Sequence, residues 1–434
     1  MSAFVESARA ALEAGRAPGA PGWLAALRAG AAERFLSQGL PTTRHEEWRY
    51  TSLAGLSQLA LSHEPAPAGG GEARRDGPGR LQLVFLDGAF QPGRSTLAEL
   101  APGLRVTTLA AALAERPDLL EPLLAAAPFA GHPFGDLAAA LARDGALVEV
   151  PAGLRLDAPI ELLFLHSAAA PRAAHYRTLV SLGEGSALSL VERHAHFGGG
   201  AAPTLTNSLV EVRAGAGAAL EHLRVQEEGP AAFHVGLLAV SQAARSRVAS
   251  RSVALGGAVS RVETRAALEG EEAECVLDGL YLGAGRQVLD QVVHLDHASP
   301  RCTSRERFKG ILDGEARGVF SGRIKVREGA QRTDADQVSS SLLLSDDAQA
   351  DARPQLEILA DDVKCSHGGA IGQLSEEALF YLRSRGIGRE AARALLTYAF
   401  ASELVERVPA PLRPALRRTV AARLPGGALL AEAA

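Results

Sequence analysis

Gly183-Glu184-Gly185-Ser186-Ala187-Leu188-Ser189-Leu190-Val191 and Gly215-Ala216-Gly217-Ala218-Ala219-Leu220-Glu221-His222-Leu223 share one plan. Each has a Gly-x-Gly turn, then Ala-Leu opening a short, partly alternating strand, the period-2 signature of sheet. Leu147-Val148-Glu149-Val150, Leu209-Val210-Glu211-Val212 and Val259-Ser260-Arg261-Val262-Glu263-Thr264 read the same way, with further glycine turns at Gly256-Gly257 and Gly283-Ala284-Gly285. For roughly two hundred residues no helical periodicity interrupts this series. Short strands with glycine turns build a sandwich, a barrel or a solenoid. The length without a seam favours a β-solenoid, although no strict repeat is visible.

Helical patterns flank the strands. Met1 to Ala17 mixes charges with alanines and reads as a helix, not a signal peptide. Trp23, Leu24, Leu27, Phe35 and Leu36 recur at spacings of three and four, and Pro65 to Gly79 reads as a loop. Leu81 to Gly88 looks like a strand ending in a turn, with helical patterns after it at Leu109–Leu124 and Leu137–Arg143. Past Gly372, Ser375 is an N-cap ahead of Glu376 and Glu377, and Gly386 is a C′ residue. A second helix sets Ala391, Leu395, Ala399, Phe400 and Leu404 on one stripe. The expected division is a mostly helical 1–145, a strand-built 146–372 and a helical 373–434, the helices covering the open ends of the solenoid.

Composition narrows the functions. At 434 residues with 47% hydrophobic side chains, the chain holds a large core. A net charge of −5 gives no electrostatic reason to expect nucleic acid. No apolar run reaches the roughly 18 residues of a membrane span, and three cysteines fit a reducing compartment, so a cytoplasmic protein is expected. No Gly-x-Gly pair opens a helix with dinucleotide spacing and no GxxxxGK[ST] occurs, so no bound nucleotide is expected. Asp334, Asp336, Asp346, Asp347 and Asp351 suit paired-carboxylate hydrolysis, but only 5% of residues are aromatic, few for stacking on sugars. A glycan-cleaving solenoid therefore predicts a cleft of carboxylates and aromatics.

Among metal-ligating patterns, His194-x-His196 and His294-x-x-His297 have ligand spacing, and Cys302 follows the second closely. Such histidines are commonly satisfied core or surface groups, and Cys302 reads better as an inert buried thiol. Cys275, alternating in Glu274-Cys275-Val276-Leu277, looks like a strand core position. Cys365 and His367, in Asp361-Asp362-Val363-Lys364-Cys365-Ser366-His367-Gly368-Gly369, lie two apart, so an extended strand projects both from one face. Thiolate plus imidazole suits zinc, copper or an iron–sulfur centre, and two ligands do not close a site.

The stretch RCTSRERFKGILDGEARGVFSGRIKVREGAQRTDADQ, with LLLSDDAQADARPQLEILADDVKCSHGGAIGQL and EEALFYLRSRGI, closely resembles the Suf iron–sulfur cluster assembly scaffolds. PTTRHEEWRYTSL, Pro41 to Leu53, resembles the N-terminal signature of the SufD branch. The sister SufB branch carries cysteines in its last helices, and here Leu382 and Tyr398-Ala399-Phe400-Ala401 contain none. The resemblance implies a right-handed parallel β-helix between helical terminal domains and a non-enzymatic scaffold. It also implies pairing with a SufB-like paralogue through the β-helix and with the SufC ATPase through the C-terminal helices. His367, with Cys365 beside it, then falls at the SufB–SufD interface as a candidate ligand of a transient cluster or iron. The alternative is a homodimeric β-helical protein with a structural or metal-trafficking role.

Overall fold

The computed structural model describes residues 2–14, 21–66, 81–97 and 100–427. The loop expected at Pro65 to Gly79 lies, past Ala66, outside the described residues, as does the end of the first expected helix past Ala14.

One backbone corner recurs coil after coil. Gly153, Gly185, Gly217, Arg245, Glu272, Arg301 and Arg332 all hold a left-handed conformation, with φ between 56° and 74°. Each donates its N–H to a carbonyl of the following coil, from Gly153 to Glu184 through to Arg332 to Asp362, at 2.6–3.2 Å. Glycine adopts this conformation freely, and the later arginines and glutamate adopt it at a steric cost that the bond offsets. The two stretches that set the pattern are therefore consecutive coils.

Between corners the chain runs as strands that pair in parallel with the coil before and the coil after. Among the described residues two sheets result, one of ten strands and one of nine, together a parallel β-solenoid of about 8 turns. Arg172 lies opposite Thr204, 32 residues on, whereas Phe233 lies opposite Val259, only 26 on. Uneven coils hide the repeat from any search at a fixed period. Strand side chains alternate between an interior-facing rank and an outward rank.

The start of the solenoid is sealed. Strand Leu81–Leu86 pairs in parallel with Ile160–His166, and Arg105–Thr108 runs antiparallel to Ala146–Val150. Leu83, Phe85, Leu104 and Val106 thereby join the interior core. A polar cluster lies further along that interior. Glu192 accepts from Arg224 Nε at 2.8 Å, and Glu228 accepts from His234 Nδ1 at 2.8 Å.

The helices lie along the flanks and not over the open end as expected. Those before residue 145 pack Phe4, Phe35, Trp48, Phe134 and Leu137 onto Leu205, Leu209, Phe233 and Leu237, on one sheet's outer face. The helical pattern at Leu109–Leu124 is two helices, Leu109–Glu115 and Pro117–Leu124, because Pro117 cannot continue the first. Helices Arg389–Val405 and Arg413–Arg423 pack on the other sheet, burying Ala401, Leu404, Val405, Leu416 and Val420 against Leu223, Leu280 and Ile311. Each such leucine contributes about 1.5–3 kcal/mol. The stripe expected on Arg389–Val405 is rotated. Leu404 is buried, but Leu395 and Ala399 face outward, because the small Ala392, Ala394 and Ala401 allow the close approach. Among the described residues, no helix is long and apolar enough to cross a membrane.

Candidate functional site at the unpaired end

The last coil consists of strands Gln349–Ile358 and Lys364–Gly372, the terminal members of their sheets. Each has a paired inner edge. No described strand pairs with its outer edge. Pro354 removes one donor from the first strand, while Lys364–Gly372 carries no proline along nine residues. Exposed apolar side chains border this end: Ile358, Leu359 and Ile371 are 40%, 54% and 50% accessible.

Cys365 and His367 sit on Lys364–Gly372. In register, Cys365 lies beside Ala335 and His367 beside Gln337, both of which point into the solenoid and are buried. The two candidate ligands thus belong to the interior-facing rank, on one face as their spacing predicts. Because no coil follows among the described residues, that face is open. Cys365 is half-buried against the interior core and His367 is exposed.

The acidic clusters do not join them. Asp336 takes the Ser366 hydroxyl at 2.6 Å and pairs with Arg307, on the sheet's opposite face. Asp334 pairs with Arg305 at 2.8 Å and Asp351 with Arg317 at 2.7 Å. Asp362 lies 3.6 Å from Arg332, at the exposed corner. Among the described residues, no three His, Cys, Asp or Glu side chains converge to hold a metal ion. Any ion held by His367 or Cys365 needs ligands from outside this set.

The other ligand-like patterns dissolve. His294 and His297 are three apart on one strand and so face opposite sides. His297 Nε2 meets Ser304 Oγ at 2.9 Å in the interior, while His294 lines an outer cleft. His194 is fully buried, stacked on Phe164 with centroids 4.9 Å apart. That outer cleft, about 750 Å³, is walled by Arg213, Arg265, Arg323 and Lys325 and contains no Phe, Tyr or Trp, unlike a sugar-binding groove. Sequence reasoning passed over Gln337 and the apolar rim, since neither register beside His367 nor exposure at the end of a solenoid leaves a local signal.

Burial pushes all three thiols up, with Glu306 adding to the effect at Cys275 and Asp334 at Cys365. Cys275 and Cys302 are at most 1% accessible. A small alkylating reagent is therefore expected to label one thiol per native chain, Cys365, slowly at pH 7 and faster as pH rises past 9. Mass mapping that finds Cys302 or Cys275 labelled as fast contradicts this arrangement.

Comparison with known proteins agrees with this architecture. The SufBD core domain of SUF-system FeS cluster assembly matches residues 164–400, and the SufBD N-terminal region matches 80–162. Iron–sulfur cluster assembly protein SufD of Escherichia coli is 33% identical over 407 residues, covering 91% of this chain and 92% of that protein. An iron–sulfur cluster assembly SufBD family protein of Synechocystis is 32% identical over 415 residues, 91% of this chain and 90% of its own length. SufD of Bacillus subtilis is 24% identical over 405 residues, with 90% and 91% covered. A solenoid with flanking helices, a Cys-x-His pair on its open coil and end-to-end similarity to SufD proteins converge, and the chain belongs to the SufBD family of iron–sulfur cluster assembly proteins.

Proposed function

We propose that this protein is a non-catalytic scaffold subunit that completes a nascent iron–sulfur site with a SufB-like paralogue. The observation that carries this reading is the placement of Cys365 and His367 on the interior-facing rank of an unpaired terminal coil. A second β-helix docking there would satisfy the free strand edge, cover Ile358, Leu359 and Ile371, and bring the missing ligands. Imidazole anchors iron–sulfur species less firmly than thiolate does, and a site of few ligands shared between chains favours release to an acceptor. His367 is the principal ligand in this account and Cys365 its neighbour. The cluster or iron is cargo held in transit.

The C-terminal segment, 373–434, is the proposed dock for a SufC-like ATPase. Helix Glu376–Ser384 buries only Leu379, while Phe380 and Tyr381 are 71% and 57% accessible and Leu395 on the next helix is also exposed. Aromatic side chains left in water on one element fit a partner's groove. The strand-built 146–372 carries the cluster face, 1–145 braces the solenoid, and the complex works in the cytoplasm. Nucleotide hydrolysis belongs to the ATPase, whose movements reshape the shared site.

Co-expression with the cognate SufB-like and SufC-like proteins tests the two docks. Ile371→Glu should weaken capture of the SufB-like chain at least about tenfold, since it buries an unpaired charge. Phe380→Ser combined with Tyr381→Ser should lose the ATPase and keep the SufB-like chain. Full complex recovered from both variants would overturn the assignment.

A further inference from the structure

An interior column leads to His367. Leu277, Glu306, Gln337 and His367 occupy the same register position on four successive strands. Leu277 shows that an apolar side chain suits this column, yet the two coils before the open end carry a carboxyl and an amide. Glu306 and Gln337 are both fully buried. Gln337 Nε2 donates to Glu306 Oε2 at 2.6 Å. Among the described residues no cation pairs with Glu306, and burial pushes its carboxyl up to about 8, so the neutral acid predominates at pH 7. On the opposing sheet Gly322 leaves the amide its space: a Cβ there would stand 2.2 Å from Gln337 Nε2. The other end of the amide, Gln337 Oε1, is buried with no hydrogen-bond partner among the described residues. An acceptor left bare next to the terminal histidine is costly for stability alone and calls for a donor.

Resting on the reading of His367 as an iron ligand, we propose that Glu306 and Gln337 are its positioning residues. Glu306 fixes the amide so that Gln337 Oε1 accepts the imidazole N–H, leaving the other ring nitrogen free to bind iron. Neighbouring strands stand about 4.8 Å apart, within reach of a glutamine amide and an imidazole in register. A neutral imidazole has one N–H and one lone pair, and the hydrogen bond on one nitrogen decides which nitrogen meets the metal. Neither residue touches the cargo.

The test compares the anaerobically loaded complex with its SufB-like and SufC-like partners in four forms: wild type, His367→Ala, Gln337→Met and Glu306→Gln. Three readouts are taken: recovery of the complex, iron affinity, and the imidazole-nitrogen coupling of the reduced cluster in pulsed electron paramagnetic resonance. His367→Ala should abolish the coupling. Gln337→Met should leave assembly intact, weaken iron binding about 10–100-fold and broaden or remove the coupling. Glu306→Gln, whose amide can present either end, should have a smaller effect in the same direction. If His367→Ala abolishes the coupling while both other variants match wild type, the positioning pair is refuted and the ligand reading stands. If His367→Ala leaves the coupling unchanged, the ligand reading falls and the pair with it.

Discussion

Arg261→Ala is expected to lower the stability of the folded chain by about 3–5 kcal/mol, the cost of leaving the buried Asp290 carboxyl without its cation. Arg261 is fully buried and binds Asp290, Glu263 Oε2 at 3.1 Å and the Glu47 carbonyl at 2.9 Å. Its guanidinium carbon lies 4.0 Å from the Trp48 ring centroid, and Thr51 Oγ1 donates to Asp290 Oδ2 at 2.6 Å. Glu47, Trp48 and Thr51 belong to the Pro41–Leu53 signature, which therefore clamps the N-terminal segment onto the solenoid's outer face. Burial raises Glu263, but His132 first, and then Arg261 and Arg265, outweigh it and hold the carboxyl well below its ordinary range. A carboxyl lowered in this way stabilises the fold above its unfolded pKa near 4, and that contribution fades as pH falls toward the folded value. Urea denaturation followed by tryptophan emission should show a lower midpoint and early exposure of Trp48. A midpoint equal to wild type contradicts the clamp.

The fold was legible where its corners are glycines and faded where they are not. Gly185 and Gly217 announce turns, whereas Arg245, Glu272, Arg301 and Arg332 hold the same left-handed corner with residues that signal none. The solenoid could therefore be inferred from its early coils, but its coil length could not. The flanking position of the helices was hidden because it depends on the outer ranks, where Leu205, Phe233, Leu280 and Ile311 are apolar for the helices' sake. The interior charges at Glu192, Arg224, Glu228 and His234 broke the expected alternation, since they satisfy one another only after the coils stack. At the candidate site, the shared face of Cys365 and His367 followed from their spacing. Their position at an open end, and the Gln337 amide beside them, required the register of the last coils.

The second large effect concerns His367 itself. His367 is exposed on the terminal strand, so His367→Ala should leave chain stability and assembly near wild type. Loss of a cluster ligand should cost at least as much as loss of an outer-shell partner, about tenfold or more in metal binding. The decisive measurement is anaerobic cluster assembly on the co-expressed complex, reading bound iron, sulfide and transfer to an apo-acceptor for wild type and His367→Ala. The account predicts an intact complex whose cluster yield and transfer fall at least about tenfold. An intact His367→Ala complex that builds and transfers clusters as wild type does would contradict it and leave this subunit a structural one.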